Sequence, residues 1–188
     1  MTKLSYDDWL RRGLKTLAED GADALKIDRL CRAMHVTKGS FYHHFRNREE
    51  FVQALLAFWQ RTFTDEVIEQ IAQYPSPEER GQALSRLTTS LQQNEERAIR
   101  AWAQWDPVVA KQVDEADKKR LTALEKLLPP LIQVPELASL VAKLVYAHFL
   151  GVQQLRENAS MEEWNRMDSL LQALFTDPSV KPLLESYR

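Results

Sequence analysis

The sequence predicts an all-α fold of about nine helices, with a basic three-helix head at the N-terminus and a longer helical region behind it. Three observations carry that expectation. Apolar residues recur at helical spacing along nearly every segment, helix-capping and helix-stopping residues stand at the ends of those stretches, and β-branched runs suited to a sheet are few. With 44% apolar and 28% charged residues over 188 positions, the chain can bury a real core in one or two domains.

The first helix is expected to open at Ser5 with Asp8 as its capping partner, to bury Tyr6, Trp9, Leu10, Leu14, Leu17 and Ala18, and to stop at Gly21. A shorter stripe follows in Ile27, Leu30, Cys31 and Met34, which is one face of a two-turn helix. Cys31, the single cysteine, reads as a small buried apolar residue of that stripe and excludes an intramolecular disulfide. His35 and Val36 break the pattern, and Thr37 is placed to cap a third helix running to Phe45. Asn47 with Glu50 then signals a long helix through Phe51, Leu55, Phe58, Trp59, Phe63 and Val67, reaching about residue 73.

Tyr74-Pro75-Ser76-Pro77 is the clearest linker, and Ser76, Pro77 and Glu79 supply a cap, an N1 proline and a capping-box acid for the next helix. Further boundaries are expected at Asp106-Pro107, at Pro129-Pro130 with Pro135, and at Ser160 with Glu163. No internal repeat or low-complexity segment occurs.

The net charge of −2 hides an asymmetry. Through Arg48 there are 10 Lys/Arg against 6 Asp/Glu, and three of the four histidines lie there too; beyond it the balance is 15 against 21. The N-terminal end is therefore the one suited to an anionic partner. No apolar run approaches the ~20 residues of a membrane span and no basic leader precedes an apolar stretch, so a cytoplasmic protein without membrane contact is expected.

Two short helices joined by a tight turn match the helix-turn-helix pattern, in which the second helix enters a major groove. That assigns a purpose to Val36-Thr37-Lys38-Gly39-Ser40-Phe41-Tyr42-His43-His44-Phe45. Gly39 lets backbone approach a phosphate closely, and Thr37, Lys38 and Ser40 lie at the same end. Tyr42 and His43 share a side with Lys38 and Gly39, whereas Phe41 and Phe45 form the inward stripe. His44 reads as a packing or phosphate residue. Lys26 and Arg48 complete the expected DNA-binding set. Adjacent helical residues diverge by about 100°, so His43 and His44 are poorly arranged for one metal ion, and no second ligand cluster appears. No nucleophile elbow or paired carboxylates suggest an enzyme, and no cofactor is expected.

The segment resembles the tetracycline-repressor-like (TetR/AcrR) family of bacterial one-component regulators. The resemblance rests on Gly21, on Ile27 to Met34, on Val36 to Phe45, and on Arg48 with Phe51, about the first fifty residues. It implies a DNA-binding domain at 1–48 and a ligand-binding and dimerisation domain at 49–188. It also implies a homodimer closed by its last two long helices, with the middle helices around a small-molecule pocket. Three positions depart from the family pattern. His35 stands where glycine is usual in the turn, Leu25-Lys26 replaces a small hydroxyl residue, and Asp28 stands where a basic residue is common.

Behind the head, Trp102 and Trp105, with Tyr146, His148 and Phe149, are candidate pocket residues, although core packing is the simpler reading of any one of them. The expected dimer face comprises Leu140, Leu144, Val152 and Leu155 on one helix with Met167, Leu171 and Leu174 on the last. The function expected is a repressor that binds a palindromic operator as a homodimer and leaves it when a small-molecule effector binds. The alternatives are a helical protein-interaction scaffold or a ligand-independent DNA-binding factor.

Overall fold

The computed structural model describes residues 4–90, 93–128, 137–155 and 161–180, together with 182 and 186. Helix α1 (Tyr6–Asp20) begins where Ser5 Oγ accepts the Asp8 N–H while the Asp8 carboxylate accepts the Ser5 N–H, a complete capping box. Gly21, at φ 79°, ends it. Helix α2 (Ile27–Ala33) and helix α3 (Lys38–Tyr42) flank His35, whose φ of 53° makes it the one non-glycine residue with positive φ among those described. Histidine tolerates this left-handed conformation better than most residues do. Helix α3 is shorter than expected, but its turns continue through Phe45 N–H to Phe41 O at 3.0 Å.

Asn47 Oδ1 accepts the Glu50 N–H and opens α4 (Arg48–Gln60), which runs through a π-helical turn (Arg61–Asp65) into α5 (Glu66–Ala72). Ser76 and Pro77 open α6 (Pro77–Ser90) as expected, with a reciprocal Ser76–Glu79 cap. Next come α7 (Gln93–Ala103) and α8 (Pro107–Leu127); the Asp106 carboxylate caps α8 by accepting the Val108 and Val109 N–H groups. Last are α9 (Ala138–Leu155) and α10 (Met161–Thr176). The expected boundaries at Pro129-Pro130, Pro135 and Ser160 lie outside the described residues. Counting α4, its π turn and α5 as one continuous helical segment, the described residues form nine such segments besides two short 3-10 turns, and no strand. Among them, no helix is long and apolar enough to cross a membrane.

The chain divides into two compact units. The first is Met1–Asp65 with Gln92–Ala116, so the N-terminal head shares a unit with α7 and the start of α8. Its core is aromatic. Phe41 meets Trp9, Phe45 and Phe51 at ring-centroid distances of 5.4, 5.2 and 5.6 Å, and all four side chains are essentially inaccessible to solvent. Burying each such ring contributes roughly 1.5–3 kcal/mol, and edge-to-face contacts add to it. Ile99 and Trp102 of α7 join the same core. Within it the Trp59 indole N–H donates to Glu96 Oε2 at 3.0 Å and Arg100 Nε donates to Oε1 at 2.8 Å, which keeps a carboxylate hydrogen-bonded at a buried position.

One core expectation fails. Tyr6 is 44% exposed at the start of α1, although its ring lies 4.9 Å from that of Phe45 and 6.3 Å from that of His44.

The second unit is Glu66–Leu91 with Asp117–Arg188. Leu124, Ala142 and Tyr146 form its core, with Leu84, Leu121, Phe149 and Leu150 packed against them.

Candidate nucleic-acid interface

Helix α3 is held by its inner face. Phe41 and Phe45 anchor α3 in the aromatic core, and His44 is drawn toward α1, its Nε2 lying 3.1 Å from the Leu4 carbonyl oxygen. What remains outward is the set Thr37, Lys38, Gly39, Tyr42 and His43, all exposed, with Ser40 half-buried. Tyr42 is 54% exposed although its ring edge touches Phe41 at 5.6 Å. One aromatic thus faces solvent beside one that does not. A Cβ on Gly39 would meet only Thr37 Oγ1, at 3.6 Å, and its φ is ordinary, so neither packing nor backbone strain inside the protein calls for glycine there. Thr37 occupies the cap position of α3 without a side-chain hydrogen bond to the helix.

Two basic residues are engaged in ways the sequence did not reveal. Lys38 Nζ lies 2.7 Å from Asp28 Oδ1, across from α3 to α2, and this hydrogen bond and charge raise the lysine's pKa. Arg48 Nε donates to the Leu25 carbonyl at 2.7 Å and so ties the start of α4 to the loop before α2. Lys26, the residue before α2, is exposed. Asp28 and Arg48 stand 10 and 23 positions from their partners, and no helical periodicity pairs residues so far apart.

The pocket candidates separate. Trp102 is buried in the first unit, its indole N–H donating to Asp106 Oδ2 at 3.1 Å, whereas Trp105 is 64% exposed. In the second unit Tyr146 and Phe149 stack at 6.1 Å. The Tyr146 hydroxyl donates to Asp117 Oδ1 at 2.6 Å and accepts from Arg120 Nη1 at 3.2 Å, a polar group the sequence did not suggest. His148, two residues beyond Tyr146, points about 200° around the helix from it. Of the dimer candidates, Leu140, Leu144 and Met167 are exposed, Leu171 is half-buried, and Val152 is buried within its own chain. The side chains of Leu155 and Leu174 lie outside the described residues.

An all-helical chain whose aromatic core presents a short second helix outward is a helix-turn-helix protein. Residues 10–55 match the family model described as bacterial regulatory proteins, tetR family, and this N-terminal part of the chain is similar to that family. The transcriptional regulator AcuR of Cereibacter sphaeroides is 38% identical over 60 residues, which are 32% of this chain and 27% of that protein's length. Two solved structures extend the likeness along nearly the whole chain. Escherichia coli NemR in its reduced form superposes with a TM-score of 0.78 at 18% identity, covering 92% of this chain and 98% of that one. AibR in complex with isovaleryl coenzyme A and operator DNA gives 0.68 at 17%, also covering 92% and 98%. At such identities the structural likeness establishes the fold alone.

Proposed function

We propose that the protein is a cytoplasmic one-component transcriptional repressor. It binds a palindromic DNA operator as a homodimer through residues 1–48 and is released by a small-molecule effector held in residues 49–188. The observation that carries this is the exposed face of α3. Lys38, Gly39, Tyr42 and His43 stand outward on a helix whose other side is locked by Phe41 and Phe45. Rigid backing of that kind presents side chains to base edges without an ordering cost. Gly39, which the protein's own packing does not require, suits close approach of a phosphate backbone. Thr37, Ser40 and Lys26 flank the face and contact phosphates.

The dimer forms through Leu140 and Leu144 of α9 and Met167 of α10, large apolar side chains between 40% and 53% exposed. Covering them in an isologous contact removes apolar surface from water. The two reading helices then sit about 34–36 Å apart, in successive major grooves. An effector that prefers a different separation lowers DNA affinity by its differential binding, typically about 1–3 kcal/mol of coupling. That AibR carries both an acyl-coenzyme A and operator DNA supports the same pairing of ligand and operator here.

Selection of sites from random duplex DNA at about 150 mM salt, where non-specific phosphate contacts are weakened, tests this. An enriched inverted repeat with half-sites about one turn apart is the expected result. Tyr42→Ala relaxes its sequence preference and leaves the fold intact, whereas Phe41→Ala destabilises the head by about 3–5 kcal/mol. Recovery of no motif, or DNA affinity indifferent to Tyr42→Ala and Lys38→Ala, overturns the proposal.

A further inference from the structure

Gln153 of α9 is 1% exposed, and neither its amide nitrogen nor its amide oxygen meets a hydrogen-bond partner among the described residues. Buried carboxamides are ordinarily bonded, because leaving them unpaired forfeits the hydration they had in the unfolded chain. Its place on the helix is informative. Tyr146, Phe149, Leu150 and Gln153 follow one another at i, i+3, i+4 and i+7, one stripe of α9, and the first three pack into the core of the second unit. At one end of the stripe the Tyr146 hydroxyl is already satisfied by Asp117 and Arg120. The stacked Tyr146 and Phe149 rings come next. About 10 Å along the helix from Tyr146 stands the unpartnered carboxamide.

We propose that Gln153 is the specificity-determining residue of the effector site. The effector it takes is an uncharged, largely apolar molecule carrying an amide-type group, a donor and an acceptor side by side. This rests on the effector function proposed above and names its ligand class. A planar amide pairs both halves of the Gln153 side chain at once. A carboxylate satisfies only the nitrogen and leaves the oxygen orphaned; an ammonium does the reverse; an ester offers no donor. A charged group would also have to give up its hydration to reach so buried a position. The apolar remainder of the molecule lies along Phe149 and Leu150.

Two measurements on the full chain test this, with a straight-chain amide, octanamide, as the probe. In the absence of any ligand, Gln153→Leu and Gln153→Met are expected to raise the melting temperature by about 2–4 °C. Each replaces an unpaired amide with apolar atoms of similar size. A glutamine that serves only the fold loses stability on the same change, so a fall in both variants overturns the proposal. Titration with octanamide, octanoate and methyl octanoate is expected to show the amide binding wild type about tenfold more tightly than the other two. That preference vanishes in both variants. Equal binding of the three by wild type, or an amide preference that survives the substitutions, overturns it as well. Operator release separates this inference from the one beneath it. Release by some other compound, equally from wild type and variants, removes Gln153 from the site and leaves the effector function standing. Operator binding that no compound alters removes the effector function itself.

Discussion

Lys38 at the start of the reading helix and Asp28 in the first turn of α2 form an ion pair at 2.7 Å, with both side chains 61% exposed. If Lys38 meets DNA as proposed above, a phosphate must compete with a carboxylate for this ammonium. Asp28→Asn is expected to tighten operator binding about two- to fivefold, in line with the modest worth of exposed pairs. Lys38→Ala is expected to reduce the slope of log K against log salt by about one. Fluorescence anisotropy across a salt series reads both. Unchanged affinity in Asp28→Asn would mean that Lys38 does not reach the phosphate.

Arg48 offers a different test of a basic residue. Its Nε bond to the Leu25 carbonyl fixes the loop ahead of α2, and a lysine keeps the charge without reproducing that planar donor. Both Arg48→Lys and Arg48→Ala are expected to lose about 1 kcal/mol of stability in urea titrations. If Arg48 acts chiefly on phosphate, Arg48→Lys will instead be as stable as wild type.

Gly13 lies in the middle of α1, where alanine ordinarily gains up to about 1 kcal/mol of helix propensity. Here the added Cβ would stand 2.7 Å from Phe51 Cζ and 2.9 Å from Leu55 Cδ1, both on fully buried side chains. Overpacking of that kind costs about 1–3 kcal/mol. Gly13→Ala is therefore expected to unfold at lower urea than wild type, and an equal or higher midpoint would show that α1 and α4 part without penalty.

Acid should act on two helix starts. The backbone N–H and hydroxyl of Ser5 hold Asp8 below its ordinary pKa, and the backbone N–H and guanidinium of Arg46 do the same for Glu50. Depressed folded-state values mean that the unfolded chain takes up protons first. The stabilisation is thus present above the ordinary carboxylate pKa of about 4 and is lost as pH falls through the lower folded values. Wild type and the Asp8→Asn, Glu50→Gln double variant should differ in denaturant midpoint at pH 7 and converge toward pH 3. A gap that is constant with pH would refute the assignment.

Much of the helix pattern was legible because its determinants are local. Ser5 with Asp8, Asn47 with Glu50 and Ser76 with Glu79 each lie three residues apart, within the reach of one helical turn, and each forms its cap. Alternation of inward and outward aromatics over Phe41, Tyr42 and Phe45 likewise follows from helical geometry, whereas the positive φ at His35 was implied only by the resemblance, which has glycine in that turn. Periodicity could not say which of two apolar faces on α9 meets its own chain. Val152 was grouped with Leu140 and Leu144, yet it is buried while they are exposed.

Sequence by itself determined the helical class, the helix starts and which side of α3 faces inward, since these depend on residues within a turn of one another. Tertiary structure alone decided that Asp28 holds Lys38, that Arg48 holds Leu25, that Tyr146 meets Asp117 and Arg120, and that Gln153 is buried without a partner. Those outcomes depend on how helices distant in the chain pack together, and packing over such separations leaves no periodic mark in the sequence.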